Sequence, residues 1–122
     1  MATLNTTLSI NSTTVSSNAL SLSISDVLNV GNPVTGLSRE SVATDADTII
    51  VAASVSSSMY VYIKNIDAAN YILLKTDAQV AVPFARLHAQ EAILFCVAPS
   101  TGLHIVANTS ACIVEFATFT KS

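Results

Sequence analysis

From Asp47 onward the chain is a succession of short apolar or alternating runs, each closed by a turn signal, and this spacing is what most restricts its fold. Ile49 to Ala53 is an apolar strand and Ser54 to Ser58 a polar connection. In the strand Met59 to Asn65, Val61 and Ile63 oppose Tyr60, Tyr62 and Lys64. A turn over Asn65 to Asn70 leads to a returning strand, Tyr71 to Thr76, and Gln79 to Val82 runs on to Pro83. Three further strands are expected at Ala92 to Ala98, Leu103 to Ala107 and Cys112 to Thr120, separated by Pro99-Ser100-Thr101-Gly102 and Asn108-Thr109-Ser110. Strands recurring roughly every 8–12 residues, with no competing amphipathic helical stretch, predict an all-β antiparallel domain, a sandwich or a barrel. No internal repeat is visible on the scale of roughly 20–50 residues.

The N-terminal part is different in kind. No charged side chain precedes Asp26. Leu20, Leu22 and Ile24 alternate with Ser21, Ser23 and Ser25, the pattern of a strand with one apolar face. Thr3 to Asn18 mixes Leu4, Leu8, Ile10 and Val15 with Asn, Ser and Thr, too little apolar surface to offset its own ordering entropy. Two readings stand for it, a frayed terminus or an arm that adds a strand to a neighbouring sheet or subunit. The second is preferred, because strand addition needs backbone groups and alternating side chains but no charge. The chain is therefore divided into an arm, residues 1–18, and a sandwich domain, residues 19–122. Gly31-Asn32-Pro33, with Gly36 close behind, reads as a turn and as the best joint in this part of the chain. Arg39, Glu40, Asp45 and Asp47 then place charge on an expected solvent-side edge strand and loop.

Composition bears on what the outside of such a domain does. Of the 122 residues 51% are hydrophobic and 11% charged, against roughly 25% charged in an ordinary soluble domain. Serine and threonine, about a quarter of the chain, fill part of the gap with neutral hydroxyls that suit either water or another subunit. Low charge and an uncharged, strand-competent arm together favour a homo-oligomer, trimeric or higher, that hides apolar surface between copies. The longest apolar runs are strand-sized, well short of the roughly 20 residues of a membrane helix, so no membrane association is expected. The N-terminus lacks the charged and apolar regions of a signal peptide. Net charge is −3, and Arg39, Lys64, Lys75, Arg86 and Lys121 are dispersed, which argues against nucleic-acid binding. Cys96 and Cys112 are expected to be two small buried thiols.

Sites of chemistry are sparse. Serines with His88 or His104 and Asp67 or Asp77 supply the residue types of a hydrolytic triad, but no Gly-x-Ser-x-Gly elbow occurs. His88 reads as a turn histidine and His104 as a strand-surface one, and no closely spaced ligand pair accompanies either. Asp45-Ala46-Asp47 lacks the glycine and terminal glutamate of a calcium loop and reads as a solvated acidic loop. Three glycines exclude phosphate-cradling fingerprints. The expectation is a protein with no catalytic, cofactor or metal site, whose candidate interface residues are Leu20, Leu22, Ile24, Tyr60 and Tyr62. The two tyrosines share a strand face and suit packing against a neighbouring subunit, or stacking on a glycan.

Tyr60-Val61-Tyr62-Ile63-Lys64-Asn65, Asn70-Tyr71-Ile72, Leu87 followed by Glu91 and Phe95, Gly102-Leu103, and Val114-Glu115-Phe116 give the second half of the chain a recognisable order. In that order Met59 to Ser122 resembles a group of small virion structural proteins of tailed bacteriophages. The resemblance implies a β-sandwich or jelly-roll module, located in the virion and assembled in the host cytoplasm. Such a module decorates a capsid as a cement protein or forms a neck, tail or fibre appendage, with the major capsid protein or another virion protein as partner. It assigns no catalytic position. Where the pattern commonly has a Pro-Gly turn before the glutamate, this chain has Ala89-Gln90, which leaves the turn type open.

Overall fold

The computed structural model describes residues 2–14, 19–34, 36–77 and 82–122, and among them every regular element is a strand. The strands are β1 (Ala2–Ser12), β2 (Leu20–Val34), β3 (Ser38–Val42), β4 (Thr48–Val51), β5 (Met59–Asn65), β6 (Ile72–Lys75), β7 (Ala85–Leu87), β8 (Ala92–Val97), β9 (Leu103–Ala107) and β10 (Cys112–Lys121). They form two antiparallel sheets, as the periodicity predicts. The first runs β1-β2-β10-β5-β8, with β3 beside the leading half of β10, and the second runs β4-β9-β6-β7.

Period-2 alternation builds the core between the sheets. Val61 and Ile63 of β5, Val97 of β8 and Val114 of β10 point inward from the first sheet; Ile72, Leu74, Leu103 and Ile105 meet them from the second. Burying each such aliphatic side chain contributes about 1.5–3 kcal/mol. The alternate residues Tyr60, Tyr62 and Lys64 face outward, as the sequence pattern requires.

Most strands lie where the periodicity places them, and β5 and β9 match end to end. Three expectations are corrected. Gly31-Asn32-Pro33 lies inside β2 rather than in a turn. There β2 leaves its partner β1 and takes up β10 through a register shift, Val34 opposite Phe119 and Val30 opposite Lys121. A bulge of this kind is where a sheet accepts a proline without losing a ladder hydrogen bond. Ala85–Leu87 is a strand, held by pairing to β6, although three residues carry no periodicity of their own. Cys112 is buried, but Cys96 points outward from β8 and is exposed, so only one of the two thiols is a core residue; both are free. The expected segment Gln79 to Val82 falls largely outside the described residues.

The turns at one end of the sandwich are locked by a buried amide. Asn65 has no exposed surface; its Nδ2 donates to the carbonyls of Asn70 (2.9 Å), Leu87 (3.2 Å) and His88 (3.2 Å), and its Oδ1 accepts from Asp67 N (3.1 Å). Asp67 Oδ2 in turn accepts from the backbone of Ala69 (2.9 Å) and Asn70 (2.6 Å). In the facing turn, Glu91 N donates to His88 O (3.2 Å) and Gln90 has φ +68°. A positive φ at the third position is the type II signature, so the turn that Pro-Gly would make is kept with Ala89-Gln90 in its place. Gln90 Nε2 donates to the carbonyls of Ile66 (3.1 Å) and Asp67 (3.0 Å), which ties the two turns together.

Candidate assembly surface

The first strand of the expected arm pairs within the chain. β1 pairs along its whole length with β2, from Ala2 opposite Val30 to Ser12 opposite Leu20, as a long two-stranded ribbon. Directly opposed residues share a face. The register therefore puts Leu4 with Leu28, Leu8 with Ile24, Ile10 with Leu22, and Leu20 on one face. The other face holds Thr3, Asn5, Thr7, Ser9, Asn11, Ser21, Ser23, Ser25, Val27 and Asn29. One face is aliphatic, interrupted by the Thr6–Asp26 rung, and the other is almost wholly hydroxyl and amide.

At the base, Leu4 and Leu28 are half-buried and Val30 is fully buried. Beyond Asp26 the apolar face lies open: Leu8 is 53% exposed, Ile24 49%, Leu20 43%, Ile10 42% and Leu22 40%. The sequence pattern predicts that Leu20, Leu22 and Ile24 lie on one face, which they do, but within this chain that face is uncovered. β1 is ordered by pairing with β2 of its own chain, so the strand-adding arm finds its partner strand intramolecularly.

The ribbon base overhangs the outer face of the first sheet and encloses an apolar cleft of about 330 Å³. Leu4, Leu37, Tyr62, Leu94, Ala117 and Phe119 supply its apolar walls. A second cleft, about 430 Å³, adjoins it through Leu94 and Thr6 and reaches Leu8 and Ile24. The structure thus brings Tyr62 to the wall of the first cleft and Ile24 to the second. Tyr60 lies on the same outer face, opposite Phe119 and Cys96. Leu20 and Leu22 stand further out along the ribbon.

Beside the cleft, Tyr62 Oη donates to Glu115 Oε1 (3.1 Å), and Arg39 binds Glu115 Oε2 (3.3 Å). Partial burial, reinforced by the Glu115 charge, raises the Tyr62 hydroxyl above its ordinary value and keeps it a donor. The register places Glu115 opposite both Arg39 and Lys64.

Sequence reading misses Leu8, Ile10, Leu37, Leu94 and Phe119 as surface residues. For Leu8 and Ile10 a signal exists: with Ala2 and Leu4 they occupy even positions, broken only by Thr6. Leu94 sits in a run apolar on both faces, where alternation carries no information.

The other candidate residues are structural or scattered. Asp47 is not in a solvated loop: its side chain is 12% exposed, with Oδ1 3.1 Å from Lys75 Nζ and Oδ2 3.5 Å from His104 Nδ1. The Lys75 pair ties the residue ahead of β4 to β6, and His104 of β9 lies alongside on the outer face of the second sheet. His88 is exposed in the β7–β8 turn with its ring 5.7 Å from that of Tyr71, over which Arg86 lies at 4.0 Å. Among the described residues no group of three or more His, Cys, Asp or Glu is placed to hold a metal ion.

No family model and no curated protein matches the chain. Among solved structures, a protein from work describing Bacillus endospore appendages as a novel family of disulfide-linked pili aligns over 75% of this chain and 93% of its own, at 16% identity and a TM-score of 0.40.

Proposed function

We propose that this chain is a non-enzymatic structural protein of a tailed-phage particle, a decoration or cement protein that binds the outer shell as a homo-oligomer. The observation that carries the reading is the ribbon face, where five large aliphatic side chains stand 40–53% exposed on a two-stranded element. An isolated two-stranded ribbon is marginal in water. Contiguous apolar surface of this kind marks an interaction site. The particle assignment draws on the motif order of the second half. Its residues Asn65, Asn70, Leu87 and Glu91 belong to the interlocked turns, so the shared pattern is one of fold-making positions.

The test is the copy number of this chain in purified particles of its source, by quantitative mass spectrometry against the major capsid protein. Hundreds of copies are expected for a cement protein. About a dozen would move it to the neck, tail or fibres, and absence from the particle would overturn the reading.

A further inference from the structure

Three ionisable side chains are withdrawn from water on the outer face of the second sheet, each 12–13% exposed. Lys75, at the end of β6, stands directly opposite His104 of β9, which has Ile49 of β4 on its other side. Asp47 lies two residues ahead of Ile49 and brings its carboxylate to both, with Oδ1 3.1 Å from Lys75 Nζ and Oδ2 3.5 Å from His104 Nδ1. The contact between Asp47 and Lys75 therefore spans β9, the strand that separates β4 from β6.

As a device for stability alone this cluster is poorly made. An ion pair taken out of water gains little net free energy unless its remaining polar atoms are hydrogen-bonded. Here Asp47 Oδ2 and His104 Nδ1 are both buried, and neither has a hydrogen-bond partner among the described residues. Buried polar atoms left in this condition call for a chemical reason. The geometry offers one: an amine held against a carboxyl group, with a ring nitrogen aimed at the far oxygen and little water at hand.

We propose that Asp47 and Lys75 condense to an intramolecular amide, with His104 as the group that stabilises the transition state. Lys75 Nζ passes one proton to Oδ1 across the 3.1 Å contact, leaving a free amine and a carboxylic acid. The Nζ lone pair then adds to Cγ, the Nζ–Cγ bond forms, and the negative charge moves onto Oδ2. His104, as the Nδ1–H tautomer, donates to that oxyanion, so a contact too long for a hydrogen bond in the ground state shortens as charge develops. A second proton passes from Nζ to the Oδ1 hydroxyl, the Cγ–Oδ1 bond breaks with its electron pair on oxygen, and Oδ2 becomes the amide carbonyl. One water leaves. Both of its hydrogens come from the ammonium, nothing is oxidised or reduced, and His104 ends unchanged. Such a condensation is disfavoured between dilute partners in water, but partners fixed by a fold act at effective concentrations of about 10⁵–10⁸ M. The product fastens the residue ahead of β4 to β6 across β9, and closes a covalent loop that the unfolded chain retains.

The test is the mass of the purified full-length chain under denaturing conditions. The expected value is lower than that of the sequence by one water, and trypsin, blocked at Lys75, should release a branched peptide joining residues 40–64 to residues 65–86. An unmodified mass, or a water lost with no branched peptide, would overturn the proposal without recourse to any variant. Lys75→Arg keeps the positive charge but supplies no amine, and is expected to have the unmodified mass; the same water loss in K75R would also overturn it. His104→Phe removes the donor and should be recovered with a condensed fraction at least several-fold lower, the circular dichroism of the sandwich being retained. Full condensation in H104F would overturn the role of His104. The bond forms within one chain, so its presence is independent of whether the chain is found on particles.

Discussion

Two residues at the end of the sandwich show how individual side chains decide local conformation. Gln90 adopts a left-handed conformation that costs a non-glycine residue about 1–2 kcal/mol, and its amide offsets this by donating to Ile66 and Asp67. Gln90→Gly removes strain and hydrogen bonds together and is expected to leave stability nearly unchanged. Gln90→Ala keeps the strain and loses the bonds, a loss of about 1–3 kcal/mol. Urea unfolding of both variants checks the order; equal stability of Ala and Gln would refute it. Asp67 titrates below the ordinary carboxylate range because the backbone N–H of Asn70, then that of Ala69, stabilise its charged form. The unfolded chain therefore binds the proton more readily. Stability gained from this group is full above about pH 4 and is lost as pH falls through the depressed native value. In Asp67→Asn that part of the acid slope should vanish; an unchanged slope would contradict the assignment.

At the scale of elements, ion pairing and register do what local propensity does not. Asp47, just ahead of β4, Lys75 of β6 and His104 of β9 meet on the outer face of the second sheet and are each 12–13% exposed. Lys75→Met leaves the Asp47 carboxylate without its cation and should destabilise the fold by about 3 kcal/mol, the cost of an uncompensated partly buried charge at the lower end of the usual range. Thermal unfolding reads this directly, and a change within error would show that the pair contributes nothing. Strands with clean alternation, β5 and β9, are legible from the sequence because each buries one face. β7 is not, since three residues have no period, and β2 reads as ending at Gly31 because its continuation depends on a change of partner that only the register reveals. The candidate interface residues are half legible for the same reason. Leu20, Leu22 and Ile24 declare a face by alternation, whereas the lining of the cleft at its base by Tyr62 and Leu94 is a fact of tertiary placement.

For the molecule as a whole, the sandwich and the ribbon are built on different terms. The sandwich closes its own core, while the ribbon shows an aliphatic face beyond the point where its chain can cover it. The scarcity of charge fits the proposed homo-oligomer, because surface covered by a partner has no need of charge. As a homo-oligomeric structural protein, the chain is proposed to cover this face by self-association. The most direct measurement is the molar mass of the purified full-length protein by light scattering, from low to high micromolar concentration. A homo-oligomer of this kind is expected to show a species of at least three copies of the 12.7 kDa chain, which dissociates when Leu22 is replaced by Asp. A mass of one chain across the whole range would contradict it.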